Sequence, residues 1–145
     1  MNHDDFNLLL AGPEMDEIIA EKVMKWVKVQ SGTDPETHGA PYYAWRDQAG
    51  KQKAWAISWY QWEAWSPSTK IADAWSVVDF LCKEGMGTTL MTRGAFTDEG
   101  LGPAGKFSAS MRREHSHEAR GYGCGDDMMI AICRAAFRTT IKEDS

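Results

Sequence analysis

The stretch "AWAISWYQWEAWSPSTKIADAWSVVDFL", Ala54 to Leu81, changes its hydrophobic period midway. Up to Trp62 the pattern repeats every second residue: Trp55, Ile57 and Trp59 on one side, Ala56, Ser58, Tyr60 and Trp62 on the other. That is the period of a β-strand, and aromatic residues on both sides predict a strand covered on both faces. From Ile71 onward, Ala74, Trp75, Val78, Leu81 and Cys82 recur at helical spacing instead. Between the two lies "WSPSTK", in which Ser66 or Ser68 can cap a helix and Pro67 fits its first turn. A strand that turns directly into a helix, with both apolar faces needing cover, already indicates mixed α and β layers.

Similar segments flank this one. Before it, "GPEMDEIIAEKVMKWV" carries Met15, Ile18, Ile19, Val23 and Trp26 at helical spacing, with Pro13 near its start and acids in its first turn. "PYYAWRD" and "KAWAISWYQW" surround "QAGK", a hairpin turn. After it, "TTLMTRGAF" and "KFSASMRRE" read as two further strands joined by the loop "TDEGLGPAG". A last helix, "DDMMIAICRAAFRTTIK", places Met129, Ile132, Cys133, Ala136 and Phe137 on one face behind Asp126 and Asp127. The order predicts an α+β protein, a mainly antiparallel sheet of about four strands with three helices packed over it. With no repeat or long linker, residues 1–145 read as one domain, a length that supports a conventional core.

Composition narrows the function. The chain is 43% hydrophobic and 26% charged with a net charge of −5, which argues against general nucleic-acid binding through lysine and arginine. No apolar run is long enough to span a bilayer, and the opening residues are acidic where a signal peptide is basic, so an intracellular location and no membrane partner are expected. Cys82, Cys124 and Cys133 form no motif and read as free thiols. No G-x-S-x-G or Walker pattern occurs. Cys124 lacks an evident base, and His115 with His117 lacks a fourth zinc ligand. No catalytic residue, metal site or cofactor is expected.

What remains is a binding chemistry. Five of the seven tryptophans lie between Ala54 and Trp75. Periodicity assigns Trp55 and Trp59 to the sheet and Trp75 to the helix stripe. For Trp62 and Trp65, at the strand end, core packing and stacking on a flat ligand both stay open. Beside them the start of the helix offers backbone N–H groups and the hydroxyls of Ser66, Ser68 and Thr69, an arrangement that caps the helix or takes an anion. Arg112 and Arg113 belong to a modest basic patch from Lys106 to Arg120, a solvated strand end or a partner for further negative charge.

The blocks "MDEIIAEKVMKW" (Met15–Trp26), "SPSTKIADAWSVVDFL" (Ser66–Leu81) and "AICRAAFR" (Ala131–Arg138) resemble, in order, the phage ABA-sandwich domain family, small proteins of tailed bacteriophages and prophages. The resemblance implies a three-layer α/β/α sandwich and a phage origin, and it supplies no activity. With it, the expectation is a non-enzymatic protein of the host cytoplasm, a homo-oligomer that sequesters a nucleotide-type immune signal. A base would stack on Trp62 or Trp65, phosphate would meet Ser66, Ser68 and Thr69, and Arg112 or Arg113 would pair with the remaining charge. The alternative is a protein-interaction module that inhibits a host protein or assists phage DNA metabolism, since tryptophan also concentrates at interface hot spots.

Overall fold

The computed structural model describes residues 2–34, 40–57, 63–92, 107–113 and 119–141. Among them are four helices and two three-stranded antiparallel sheets: α1 (His3–Asn7), α2 (Pro13–Ile18, prolonged by a π-helical turn over Ile19–Val23), β1 (Val27–Asp34), β2 (Ala40–Arg46), β3 (Gln52–Ile57), α3 (Ile71–Lys83), β4 (Met86–Thr92), β5 (Phe107–Arg113), β6 (Ala119–Gly125) and α4 (Met128–Arg138). The α+β class is as expected, but the strands number six and form two sheets, β1-β2-β3 and β4-β5-β6, in place of one sheet of about four. β1, β6 and α1 are the added elements.

The second sheet is built around glycine. Gly121, Gly123 and Gly125 alternate along β6 and face α4. A Cβ at Gly123 would lie 2.5 Å from the Ala131 carbonyl oxygen and closer still to the Ala135 amide nitrogen, and one at Gly125 would lie 2.8 Å from Ile130 Cγ2. Absent side chains on the strand, met by Ala131 and Ala135 on the helix, let the helix rest on bare backbone. Arg134 clamps the same junction, its Nη1 donating to the Cys124 carbonyl at 2.7 Å and its Nη2 to that of Leu9 at 3.4 Å. Asp127 caps α4 by accepting from the Ile130 amide at 2.8 Å. Phe137, farther along the helix, stacks on Phe6 of α1 with ring centroids 4.2 Å apart. The stripe expected on α4 is buried apart from the half-buried Met129, and Ala131 and Ala135 widen it.

In the first sheet, Asp47 shapes the expected hairpin turn. Its Oδ1 accepts from the amides of Ala49 and Lys51 at 3.0 and 2.9 Å, and these bonds hold its carboxyl below the usual carboxylate range. Gly50 closes the turn at φ 85°, a conformation that suits glycine. Ala44 and Trp45, adjacent on the central strand, are both buried, so both faces are covered there. Cover thins toward the edges: Ile57, Val27 and Val29 are exposed, a departure from the fully buried sheet that the aromatic alternation predicts. Trp59 lies outside the described residues.

The π turn departs from the simple helical stripe. Its wider loop, with the Met24 amide donating to the Ile19 carbonyl at 3.1 Å, buries Ala20 and Met24 in addition to Ile19 and Val23. Lys25 then ends the helix in the left-handed region at φ 61°, and the chain enters β1 through buried Trp26.

Candidate functional site

Trp65 stands between β3, Trp26 and α3. The chain at Ala64 runs parallel beside Trp55 of β3, and the Trp65 amide donates to the Trp55 carbonyl at 2.8 Å. The indole is 7% exposed, packs edge-on against Trp26 with centroids 4.9 Å apart, and donates from Nε1 to Ser76 Oγ of α3 at 3.1 Å. Of the two roles left open for it, the geometry gives core packing, since its face and its N–H are both engaged. Trp62, its companion in the stacking expectation, lies outside the described residues.

The turn that follows is occupied by the protein's own carboxylates. The Ser66 amide donates to Asp73 Oδ2 at 2.9 Å, and the Ser68 amide to Asp16 Oδ1 at 2.8 Å. The Thr69 and Lys70 amides both donate to the Ser66 carbonyl. Ser68 is fully buried and its Oγ accepts from the Gly12 amide at 2.9 Å, tying this turn to the start of α2. With Pro67 lacking an N–H, every amide from residue 66 to 70 has an acceptor, and the expected phosphate cradle is closed. The helix accordingly begins at Ile71, with Lys70 as N-cap and no side-chain cap bond, in place of a start capped by Ser66 or Ser68. Desolvation by burial raises the Asp16 carboxyl above its ordinary range, although hydrogen bonds from Ser68 and Ser66 pull the other way. Thr69 is exposed at the rim.

Arg112 and Arg113 lie elsewhere. They end β5 and, with Cys82 in the last turn of α3, Gly85 just beyond it and Thr88 and Thr89 of β4, line a cleft of about 450 Å³. The turn at residues 66–70 precedes the other end of α3, whose 13 residues span roughly 20 Å. The residues expected to form one site are therefore separated into a closed turn and an open basic cleft. Thr88 lines that cleft, and its hydroxyl is itself buried and has no hydrogen-bond partner among the described residues. Lys106, His115 and His117 lie outside the described residues. Burial pushes the Cys133 thiol well above its ordinary range, which removes it as a nucleophile.

One further surface was hidden by the pattern. Ile71 and Trp75, expected on the buried stripe of α3, are 47% and 49% exposed, and Cys82 is exposed as well. Ala74 and Leu81 of the expected stripe are buried as predicted, Val78 is half-buried, and Val77 joins the buried face. The buried and the outward sets are neighbouring arcs of one helix, and both have helical spacing. The sequence alone ranks them by hydrophobicity, and the tryptophan tips that ranking toward the face that points outward.

No helix among the described residues is long and apolar enough to cross a membrane. Neither a curated protein nor a solved structure matches the chain. The sequence profile of the phage ABA sandwich domain does match, over residues 17–137, from within α2 to the last turn of α4. The chain belongs to the phage ABA sandwich domain family.

Proposed function

We propose that this phage protein is a non-catalytic binding protein whose ligand is a small anion of the nucleotide class, held in the cleft between the end of α3, β4 and β5. Sequestration of a nucleotide immune signal in the host cytoplasm is the use that suits a phage protein of this kind. The observation that carries the reading is that Arg112 and Arg113 line one cleft of about 450 Å³ together with Thr88 and Thr89. That volume suits a nucleotide-sized ligand, and guanidinium groups match phosphate geometry. Hydrogen bonds to charged groups contribute about 1.5–3 kcal/mol each, so two arginines reach about a quarter to a half of the roughly −12 kcal/mol of a nanomolar complex. The remainder has to come from contacts with the base or sugar.

Cys82 supplies the test, since its thiol is exposed at the edge of the cleft. Its labelling rate with a maleimide is measured in the presence of cyclic dinucleotides, cyclic ADP-ribose isomers and mononucleotides. At least one of them slows the labelling of Cys82 and raises the melting temperature, and Arg113→Ala weakens that ligand about 10-fold or more. A binder recovered intact after heat release supports sequestration, and recovery of a converted product refutes it. If every nucleotide leaves both readouts unchanged, the proposal fails.

A second reading has its own observation. The outward stripe of Ile71, Trp75 and Cys82 on α3 is an apolar helix face open to a host protein or to another copy of this chain. Trp75→Glu separates the readings: it abolishes a protein complex or a homo-oligomer on a sizing column and leaves nucleotide binding intact.

A further inference from the structure

A second cleft, of about 540 Å³, opens where the residues after the π turn meet the β2–β3 hairpin and the C-terminal half of α3. Its floor is apolar, made by Trp26 and Phe80. Its rim carries three cations and three anions, and four of these six charges are paired within the protein. Lys53 Nζ lies 3.6 Å from Asp47, and Lys83 Nζ lies 3.1 Å from Asp79. The two left without an ion-pair partner among the described residues are Lys25 and Glu84, one of each sign.

Both occupy positions with a physical cost. Lys25 is the described non-glycine residue with positive φ, at 61°, and its carbonyl accepts from Gln48 Nε2 of the hairpin at 2.6 Å. A side chain at such a position is strained relative to glycine. Glu84 is the C-cap of α3, where the helix dipole is negative and a carboxylate is disfavoured. An ammonium group brought to Glu84 would relieve that repulsion, and a carboxylate would complete Lys25.

We propose that this cleft binds a small zwitterion with an apolar body, of the amino-acid or dipeptide class, its carboxylate on Lys25, its ammonium on Glu84 and its side chain over Trp26 and Phe80. The paired charges between them keep the rim neutral, so a simple anion or cation gains from one rim residue and is repelled by the other. This separates the cleft from the basic one at Arg112 and Arg113.

Calorimetric titration with L-phenylalanine and glycyl-L-phenylalanine tests the assignment, with N-acetyl-L-phenylalanine and L-phenylalaninamide as singly charged controls. At least one zwitterion binds, and each control binds at least about 10-fold more weakly. Glu84→Gln weakens the zwitterion by a similar factor and strengthens the N-acetyl compound, whose carboxylate is no longer repelled. Lys25→Gly removes the ammonium while relieving the backbone, so it folds at least as well as the parent and still loses the zwitterion. Absence of binding by both zwitterions at about 10 mM, controls that bind as tightly as they do, or a Lys25→Gly variant that binds undiminished overturns the proposal.

Discussion

Substituting Gly123 by alanine tests the central packing claim with a single methyl group. The added carbon would sit 2.5 Å from the Ala131 carbonyl oxygen, 2.8 Å from Arg134 Cβ and closer yet to the Ala135 amide nitrogen. Two of these three obstacles are helix backbone and cannot rotate away. Ordinary contact needs about 3.5 Å, so α4 has to lift from β6 by roughly 1 Å. A gap of that size forfeits a quarter to a half of the dispersion energy of the atoms it separates, and it pulls on the Arg134 bond to Cys124. Overpacking against yielding side chains costs about 1–3 kcal/mol, and against rigid backbone the upper end applies, about 3 kcal/mol or more. Out of a total stability of about 5–15 kcal/mol this is a large share, equivalent to a fall of about 10 °C in melting temperature. The assay is thermal and urea unfolding followed by circular dichroism. Gly87→Ala is the control: its new carbon meets only the Arg112 carbonyl, at 4.0 Å, and stability should change by less than about 1 kcal/mol. A Gly123→Ala protein that melts within about 2 °C of the parent would refute the bare-backbone contact.

Three further outcomes follow from the same geometry. Asp16→Asn keeps an oxygen acceptor for the Ser68 amide and Asp16→Ala does not, so the asparagine variant is more stable by about 1–3 kcal/mol in urea melts. The Asp16 carboxyl is raised in the folded state, so between its ordinary pKa of 3.8 and the folded value the native protein binds the extra proton. Its ionisation therefore destabilises the fold as pH rises through that window, and the parent gains on Asp16→Asn as pH is lowered from 7; a pH-independent difference contradicts this. Lys25→Gly relieves a left-handed residue and stabilises by about 0.5–1 kcal/mol, read as a higher urea midpoint at unchanged slope. Among the three thiols, Cys82 reacts with Ellman's reagent first and the fully buried Cys133 only at the global unfolding rate.

Elements that carry their own apolar stripe were legible in the sequence. α4 shows this, as does the hairpin around Asp47 and Gly50. β6 was not, because its inward positions in "ARGYGCG" are the glycines, which leave no hydrophobic alternation to detect. Their meaning depends on Ala131 and Ala135, which sit on the following helix. β1 opens with the alternation Val27-Lys28-Val29 but continues through polar residues, and α1 is too short for a period to form. At the candidate site the misreading has a near and a distant cause, since Asp73 takes the Ser66 amide and Asp16 the Ser68 amide. Ser66 and Ser68 look like helix caps or anion donors until Asp16, 52 residues earlier than Ser68, is brought against the turn. Local spacing cannot register a partner so distant in the chain. The basic cleft was visible in part: Arg112 and Arg113 were evident, while Thr88 and Cys82 join them only through the pairing of β4 with β5 and the end of α3.

The place of α4 bears on how the protein is made. It is the last described element to leave the ribosome, and α1, the π turn, α3, β5 and β6 all pack against it. Until it emerges, Phe6 has no ring to stack on, the glycines of β6 face water, and Leu9 and Cys124 lack their shared guanidinium. Folding during synthesis therefore cannot be completed piecemeal from the front. The contacts that close the structure onto α4 form only after every other described element has been made.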